Sequence, residues 1–140
     1  MAEKLQKLIV VTPSRVTFSD ECRMVVARGA GGELGILPDH APLITSLKTD
    51  VIRIQKDGRW RFMAVSNGFM EVKDNRVVII ADSAEMAEEI DVERARRAKE
   101  RAEERLRTRP PDIDVVRAEA ALMRALARLK AAELAGGPRR

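Results

Sequence analysis

The chain is poor in the residues that do catalytic and cross-linking chemistry. Among its 140 residues there is one cysteine, one histidine, one tryptophan and no tyrosine. A single Cys22 excludes an internal disulfide. Its neighbours Met24 and Val26 mark it as a small buried residue rather than a reactive thiol. One His and one Cys cannot furnish a multi-ligand His/Cys metal cluster, so no metal site is expected. His40 sits in a turn between Asp39 and Ala41 with no nucleophile beside it, and no catalytic set emerges. Gly29-Ala30-Gly31-Gly32 lacks the Lys and Ser/Thr that must follow a phosphate-cradling loop, and it reads as a flexible inter-strand turn. No apolar run reaches the 18 residues of a membrane-spanning helix. Met1–Gln6 has no apolar signal-peptide core, so the chain is expected to stay in the compartment where it is made.

Aromatic residues are scarce as well as unevenly placed. All four (Phe18, Trp60, Phe62, Phe69) precede residue 70. Charge is uneven too: residues 1–90 carry 12 basic and 13 acidic side chains, whereas residues 91–140 carry 14 and 9. The chain therefore divides into a near-neutral body with bulky core candidates and a basic body without aromatics. The boundary is placed at residues 1–84 and 85–140.

The first body is rich in β-branched residues and closely spaced turn signals. Strands are predicted at 8–12, 16–18, 22–27, 51–55, 59–65, 69–72 and 76–80. Asp57-Gly58, Asn67-Gly68 and Asp74-Asn75 separate the later ones, and these pairs tolerate the positive φ that tight hairpins need. Short strands at this spacing predict an antiparallel β-sandwich. The stretch Gly32–Leu43, with two glycines and two prolines, reads as a shaped loop between short strands.

From about Ala84 the sequence turns helical in character. Asp91 is the expected N-cap of a first helix running to about Arg107. Thr108-Arg109-Pro110-Pro111 breaks it, because a proline disfavours α geometry in the residue before it. Asp112 or Asp114 caps a second helix, which runs to about Ala135 before Gly136-Gly137-Pro138 stops it. The second body is thus an antiparallel two-helix hairpin. Its seams are mostly alanine: Val92, Ala95, Ala98, Ala102 and Leu106 on one helix, and Ala118, Leu122, Ala125, Leu129 and Ala132 on the other. Buried area contributes about 25 cal/mol per Å², so alanine seams dock weakly even where helix propensity is high. Such a hairpin is built to move.

Two constellations carry functional readings. Glu33 and His40 lie in the Gly/Pro-punctuated stretch, which is either a structural corner or a partner-facing edge. Arg94 and Arg101 share a face of the first helix, and Arg124 and Arg128 share a face of the second. Closing the hairpin would bring the four guanidiniums together. Like charges so placed need an anion or carboxylates among them. Their other reading is a solvated basic face.

Gly32-Glu33-Leu34-Gly35-Ile36-Leu37-Pro38-Asp39-His40-Ala41-Pro42-Leu43 closely resembles the "GELGILPGHAPL" signature of epsilon subunits of bacterial F-type ATP synthases. The resemblance spans about residues 5–135. It implies a non-catalytic rotor subunit of the proton-translocating enzyme, peripheral to the cytoplasmic face of the bacterial plasma membrane. Its sandwich would meet the gamma subunit of the central stalk and the polar loops of the c-ring, the latter through Glu33 and His40. Its hairpin would extend toward the beta subunits and inhibit ATP hydrolysis. Ile90-Asp91-Val92-Glu93-Arg94-Ala95 also fits the (I/L)-D-x-x-R-A motif of family members that bind ATP without hydrolysing it. Matched position by position, the implied ATP site is Glu85, Ile90, Asp91, Arg94, Arg101, Arg124 and Arg128. ATP would be a regulatory ligand, and no obligatory cofactor is implied. The competing reading, suggested by the basic composition, is a helical-arm adaptor for nucleic acid or an acidic protein. Residues 70–140 offer no aromatic for base stacking, and their basic residues are interleaved with acids, so no nucleic-acid partner is expected.

Overall fold

In the computed structural model, which describes residues 3–136, eight strands precede two helices. The strands are β1 (Gln6–Val11), β2 (Val16–Cys22), β3 (Met24–Gly29), β4 (Gly32–Ile36), β5 (Leu43–Leu47), β6 (Asp50–Lys56), β7 (Arg59–Lys73) and β8 (Arg76–Met86). One hydrogen-bonded path runs β2-β1-β8-β7-β5-β3-β4, and β6 closes it by pairing with both β3 and β7. The sheet folds over its own core as a sandwich. Every pairing is antiparallel except β1 with β8, which is parallel. The core between the faces is bulky: Leu8, Ile36, Ile54, Met63, Met70 and Ile79 are essentially inaccessible. Cys22 is fully buried, and burial pushes its thiol up to about 11, which keeps it protonated and unreactive.

Two of the three predicted tight turns form as expected. Asp57-Gly58 (φ 54° and 73°) joins β6 to β7, and Asp74-Asn75 (φ 53° and 60°) joins β7 to β8. The third does not. Asn67-Gly68 lies inside β7, which runs unbroken from Arg59 to Lys73. There β7 exchanges one partner for another, leaving β6 after Val65 and meeting β5 from Gly68. The glycine is needed for a different reason: a Cβ on Gly68 would lie 2.2 Å from the carbonyl oxygen of Ile80 on β8. Gly32–Ile36 and Leu43–Leu47, read from sequence as parts or neighbours of one loop, are strands. The shaped loop is only residues 37–42.

One 3₁₀ turn (Ala87–Glu89) leads to α1 (Val92–Thr108) and α2 (Val115–Gly136). Asp91 caps α1, its Oδ1 accepting from the Arg94 N–H at 3.0 Å. Asp114, rather than Asp112, caps α2 by accepting from the Arg117 N–H at 3.0 Å. Arg109, at φ 46°, closes α1 by donating its N–H to the Arg105 carbonyl. The expected stop of the second helix extends to Gly137 and Pro138, which lie outside the described residues. α1 packs on α2, and α2 packs on β6 and β7. The residues buried in the helices are Ala95, Ala102, Ala118, Ala125, Ala127 and Ala131, all of them alanine. Ala118 and Ala125 belong to the predicted seam. Ala127 and Ala131 form a second face, joined with Val51, Ala64, Ala87 and Ile90 in a small cluster against the sandwich.

Candidate functional site

Glu85 stands near the end of β8, beside Ala64 of β7, one of the two strands on which α2 packs. Its Oε1 accepts from Arg128 Nε at 2.5 Å, with each side chain about one-third exposed. This pair ties the second helix to the sandwich. Ile90 is buried in the cluster that holds Ala127 and Ala131, so its packing depends on the docked hairpin. Asp91 is committed to its helix cap. Arg101 and Arg124 come from opposite helices and line one groove of about 620 Å³, walled by Ala98, Ala102, Ala118 and Ala121. Small walls leave the width, and the guanidiniums set the charge. Arg105 and Arg117 extend the basic lining toward the inter-helix loop, where Asp112 and Asp114 share it. Neither arginine was singled out from sequence, although both lie on the same helical faces as the pair that was. Arg124 also reaches a second, small hollow with Arg128 beside Ser66 and Ser83, between hairpin and sandwich.

Five of the seven predicted residues fall into two places, the groove between the helices and the contact of α2 with the sandwich. Glu85 pairs with Arg128, Ile90 packs beneath the same helix, and Arg101, Arg124 and Arg128 line two hollows that share Arg124. Asp91 and Arg94 lie at the α1 N-terminus, and both are exposed. Neither lines those two hollows. The groove between the helices, lined by Arg101 and Arg124, can hold an anion by charge and hydrogen bonds.

The other candidate pair lies in β4 and in the loop that follows it. Glu33 lies in β4 and pairs with Arg53 of β6 at 2.8 Å. His40 lies in the 37–42 loop, where its Nδ1 donates to the Ala41 carbonyl at 2.7 Å. Two contacts tie that loop to its neighbours: the Asp39 N–H donates to Asn75 Oδ1 at 2.9 Å, and the Asp39 carboxylate pairs with Lys4. Asp39 adopts φ 63°, a left-handed conformation that explains the glycine in the related signature.

An apolar belt crosses the outer sheet surface. Register aligns Phe69 with Ile80, Ile80 with Val11, and Val11 with Val16. Phe69, Ile80 and Val16 are each more than half exposed, and so is nearby Ile44. Large apolar side chains aligned on an open sheet face mark a surface made to be covered. Residue order alone carried no sign of it, because Phe69 and Ile80 become neighbours only through the β7–β8 pairing.

The sandwich matches the model "ATP synthase, Delta/Epsilon chain, beta-sandwich domain" over residues 5–87. The helices match "ATP synthase, Delta/Epsilon chain, long alpha-helix domain" over residues 88–133. The chain belongs to the ATP synthase epsilon-chain family. It is 58% identical to the ATP synthase epsilon chain of Desulforamulus reducens over 130 residues, covering 93% of this chain and 98% of the relative. It is 47% identical to that of Bacillus licheniformis over 129 residues, covering 92% and 98%. A chain in the cryo-EM structure of the Euglena gracilis mitochondrial ATP synthase, OSCP/F1/c-ring, shares the fold with a TM-score of 0.72 at 23% identity, covering 98% of this chain and 85% of that one. Membership makes this chain a non-catalytic subunit of the F-type ATP synthase. None of its described helices is long and apolar enough to cross a membrane.

Proposed function

We propose that this epsilon chain is a peripheral rotor component at the cytoplasmic face of the bacterial plasma membrane, dividing its labour near residue 84. The sandwich couples the central stalk to the c-ring, and the hairpin regulates ATP hydrolysis. The exposed Phe69–Ile80–Val16 belt is the surface for the gamma subunit: it is apolar, lies on a rigid sheet, and is left uncovered by the hairpin. The loop carrying His40 and the adjoining strand carrying Glu33 meet the polar loops of the ring. The hairpin leaves its dock to reach acidic surfaces of the beta subunits. The observation that carries this reading is the docking itself: α2 meets the sandwich through alanines and a few ion pairs, an attachment weak enough to release. Removing residues 112–140 is expected to raise ATP hydrolysis by the assembled enzyme while synthesis is retained. Unchanged hydrolysis would remove the inhibitory role.

The docked hairpin binds ATP as a regulatory ligand. The support is the groove between α1 and α2, which Arg101 and Arg124 line from different helices. A phosphate chain among guanidiniums from both helices would tie the hairpin shut, each charge-assisted hydrogen bond contributing about 1.5–3 kcal/mol at best. Arg128 would be shared with Glu85, Arg94 would swing in from the α1 N-terminus, and Asp91 and Ile90 would border the nucleoside end. A ligand of the docked form alone shifts the population by mass action. Calorimetry on the full chain is expected to show ATP binding that Arg124→Ala or Arg128→Ala weakens sharply and Arg107→Ala does not. Equal affinity in all of these variants would reduce the arginines to an ordinary basic face.

A further inference from the structure

A second charge cluster fixes α2 to the sandwich, and it lies outside the residues assigned to the nucleotide. Asp50 opens β6, and its side chain is only 18% exposed. Its Oδ2 accepts from Arg28 Nε of β3 at 2.9 Å. Its Oδ1 accepts from Lys130 Nζ of α2 at 3.0 Å and from the Val51 N–H at 2.7 Å. Burial pushes the carboxyl up, but the hydrogen bonds from Lys130, Val51 and Arg28 outweigh it and hold Asp50 below its ordinary value. The adjoining groove also contains Glu33 and Arg53, which pair with each other. Of the charged groups facing Asp50 among the described residues, only Lys130 belongs to the hairpin.

The placement of these anchors is geometrical. β7 lies between β6 and β8, and Ala64 of β7 sits beside Val51 on one side and Glu85 on the other. Ala127 and Ala131 rest on this strip. At 3.6 residues per turn, Arg128 and Lys130 project about 80° to either side of the line midway between those alanines. Arg128 therefore reaches Glu85 on β8 and Lys130 reaches Asp50 on β6, so α2 is pinned on both flanks. The two anchors differ in one respect. On the ATP reading above, a phosphate ligand competes with Glu85 for Arg128, which shares the small hollow with Arg124, whereas Lys130 lines neither that hollow nor the groove between the helices.

We propose that Asp50 and Lys130 form a nucleotide-independent latch that sets how much of the hairpin is docked when no ligand is present. When α2 leaves, Lys130 leaves with it, while Asp50 keeps Arg28 and the Val51 N–H. The latch thus acts on docking without being needed for the sandwich. One consequence rests on the ATP reading above: loosening the latch lowers apparent ATP affinity by the lost docked fraction, although Lys130 touches no nucleotide.

Hydrogen exchange on the full chain tests the latch. Without nucleotide, Lys130→Met is expected to speed exchange of α2 amides about threefold, the scale of a partly exposed ion pair, and to leave the core strands unchanged. Lys130→Arg should restore the wild-type rate, because it keeps the charge. Asp50→Asn should speed α2 in the same way. Unchanged α2 exchange in both Lys130→Met and Asp50→Asn, or equal acceleration of helix and core strands in Lys130→Met, overturns the proposal. Adding ATP separates the two ideas: if ATP slows α2 exchange in no variant, the nucleotide reading fails while the nucleotide-free comparison still decides the latch.

Discussion

The sandwich and the hairpin are stabilised by different side chains, and this sets how each can behave. Inside the sandwich, Leu8, Ile36, Met63, Met70 and Ile79 are sealed between sheet faces. Each such side chain contributes about 1.5–3 kcal/mol on burial. Inside the hairpin, the buried residues of both helices are alanine. A methyl group contributes less than about 1 kcal/mol, so the helices rely on their own propensity and caps, and the docking relies on one small apolar cluster and a few ion pairs. The sandwich is therefore a single-state platform. The hairpin can remain helical whether or not it is docked.

The largest expected effect falls on the platform. Gly68→Ala drives a Cβ into the Ile80 carbonyl, and Met70→Ala leaves a cavity in the sealed core. The cavity alone should cost about 2–5 kcal/mol. Both variants should lower the global denaturation midpoint, whereas equal stability to wild type would show that the sandwich is not the rigid body described.

A mutation in the hairpin should instead move the dock and spare the platform. Ala125 is fully buried between the helices. Ala125→Leu is expected to cost about 1–3 kcal/mol by overpacking, read as faster exchange in α1 and α2 with unchanged core strands. Loss of sandwich protection to the same extent would erase the distinction between the two bodies.

Asp91→Ala probes the intrinsic stability of the helices. Losing the cap bond to the Arg94 N–H should cost about 0.5–2 kcal/mol, seen as fraying of the first turn of α1 by helix-sensitive NMR shifts. An intact first turn would mean that packing, not capping, starts this helix.

The smallest effect is in pH. Asp50 is held below its ordinary value of 3.8 by its hydrogen-bond partners. A carboxylate with a depressed folded value contributes stability that is fully present above the unfolded value. That contribution is lost as pH falls from near 3.8 through the folded value. Docking should therefore weaken on acidification in that window, and Asp50→Asn should remove this part of the dependence. An identical acid profile in the variant would show that other carboxylates control it.

Much of this was legible in the residues. The Asp57-Gly58 and Asp74-Asn75 turns are local signals, and local structure followed them. The Asp91 cap and the Pro110-Pro111 break were equally direct. Asn67-Gly68 misled because a glycine can serve a turn or a close approach, and only the position of Ile80 distinguishes them. Ala127 and Ala131 form an i,i+4 pair beside the predicted seam, which was the available sign of a second face on α2. Nothing in the sequence places Lys130 beside Asp50, since they are 80 residues apart.

By itself the sequence determined that this protein is a β body followed by an alanine-seamed helical hairpin. Residue spacing and backbone preference act over a few positions and need no distant partner. It also determined family membership, through the Gly32–Leu43 signature and the motif at Ile90–Ala95. Only the tertiary structure decided which arginines share a groove, which carboxylates pin α2, and which apolar residues line up on an open face. Those are relations between strands and helices far apart in sequence, fixed by sheet register and by the angle at which each side chain leaves its helix.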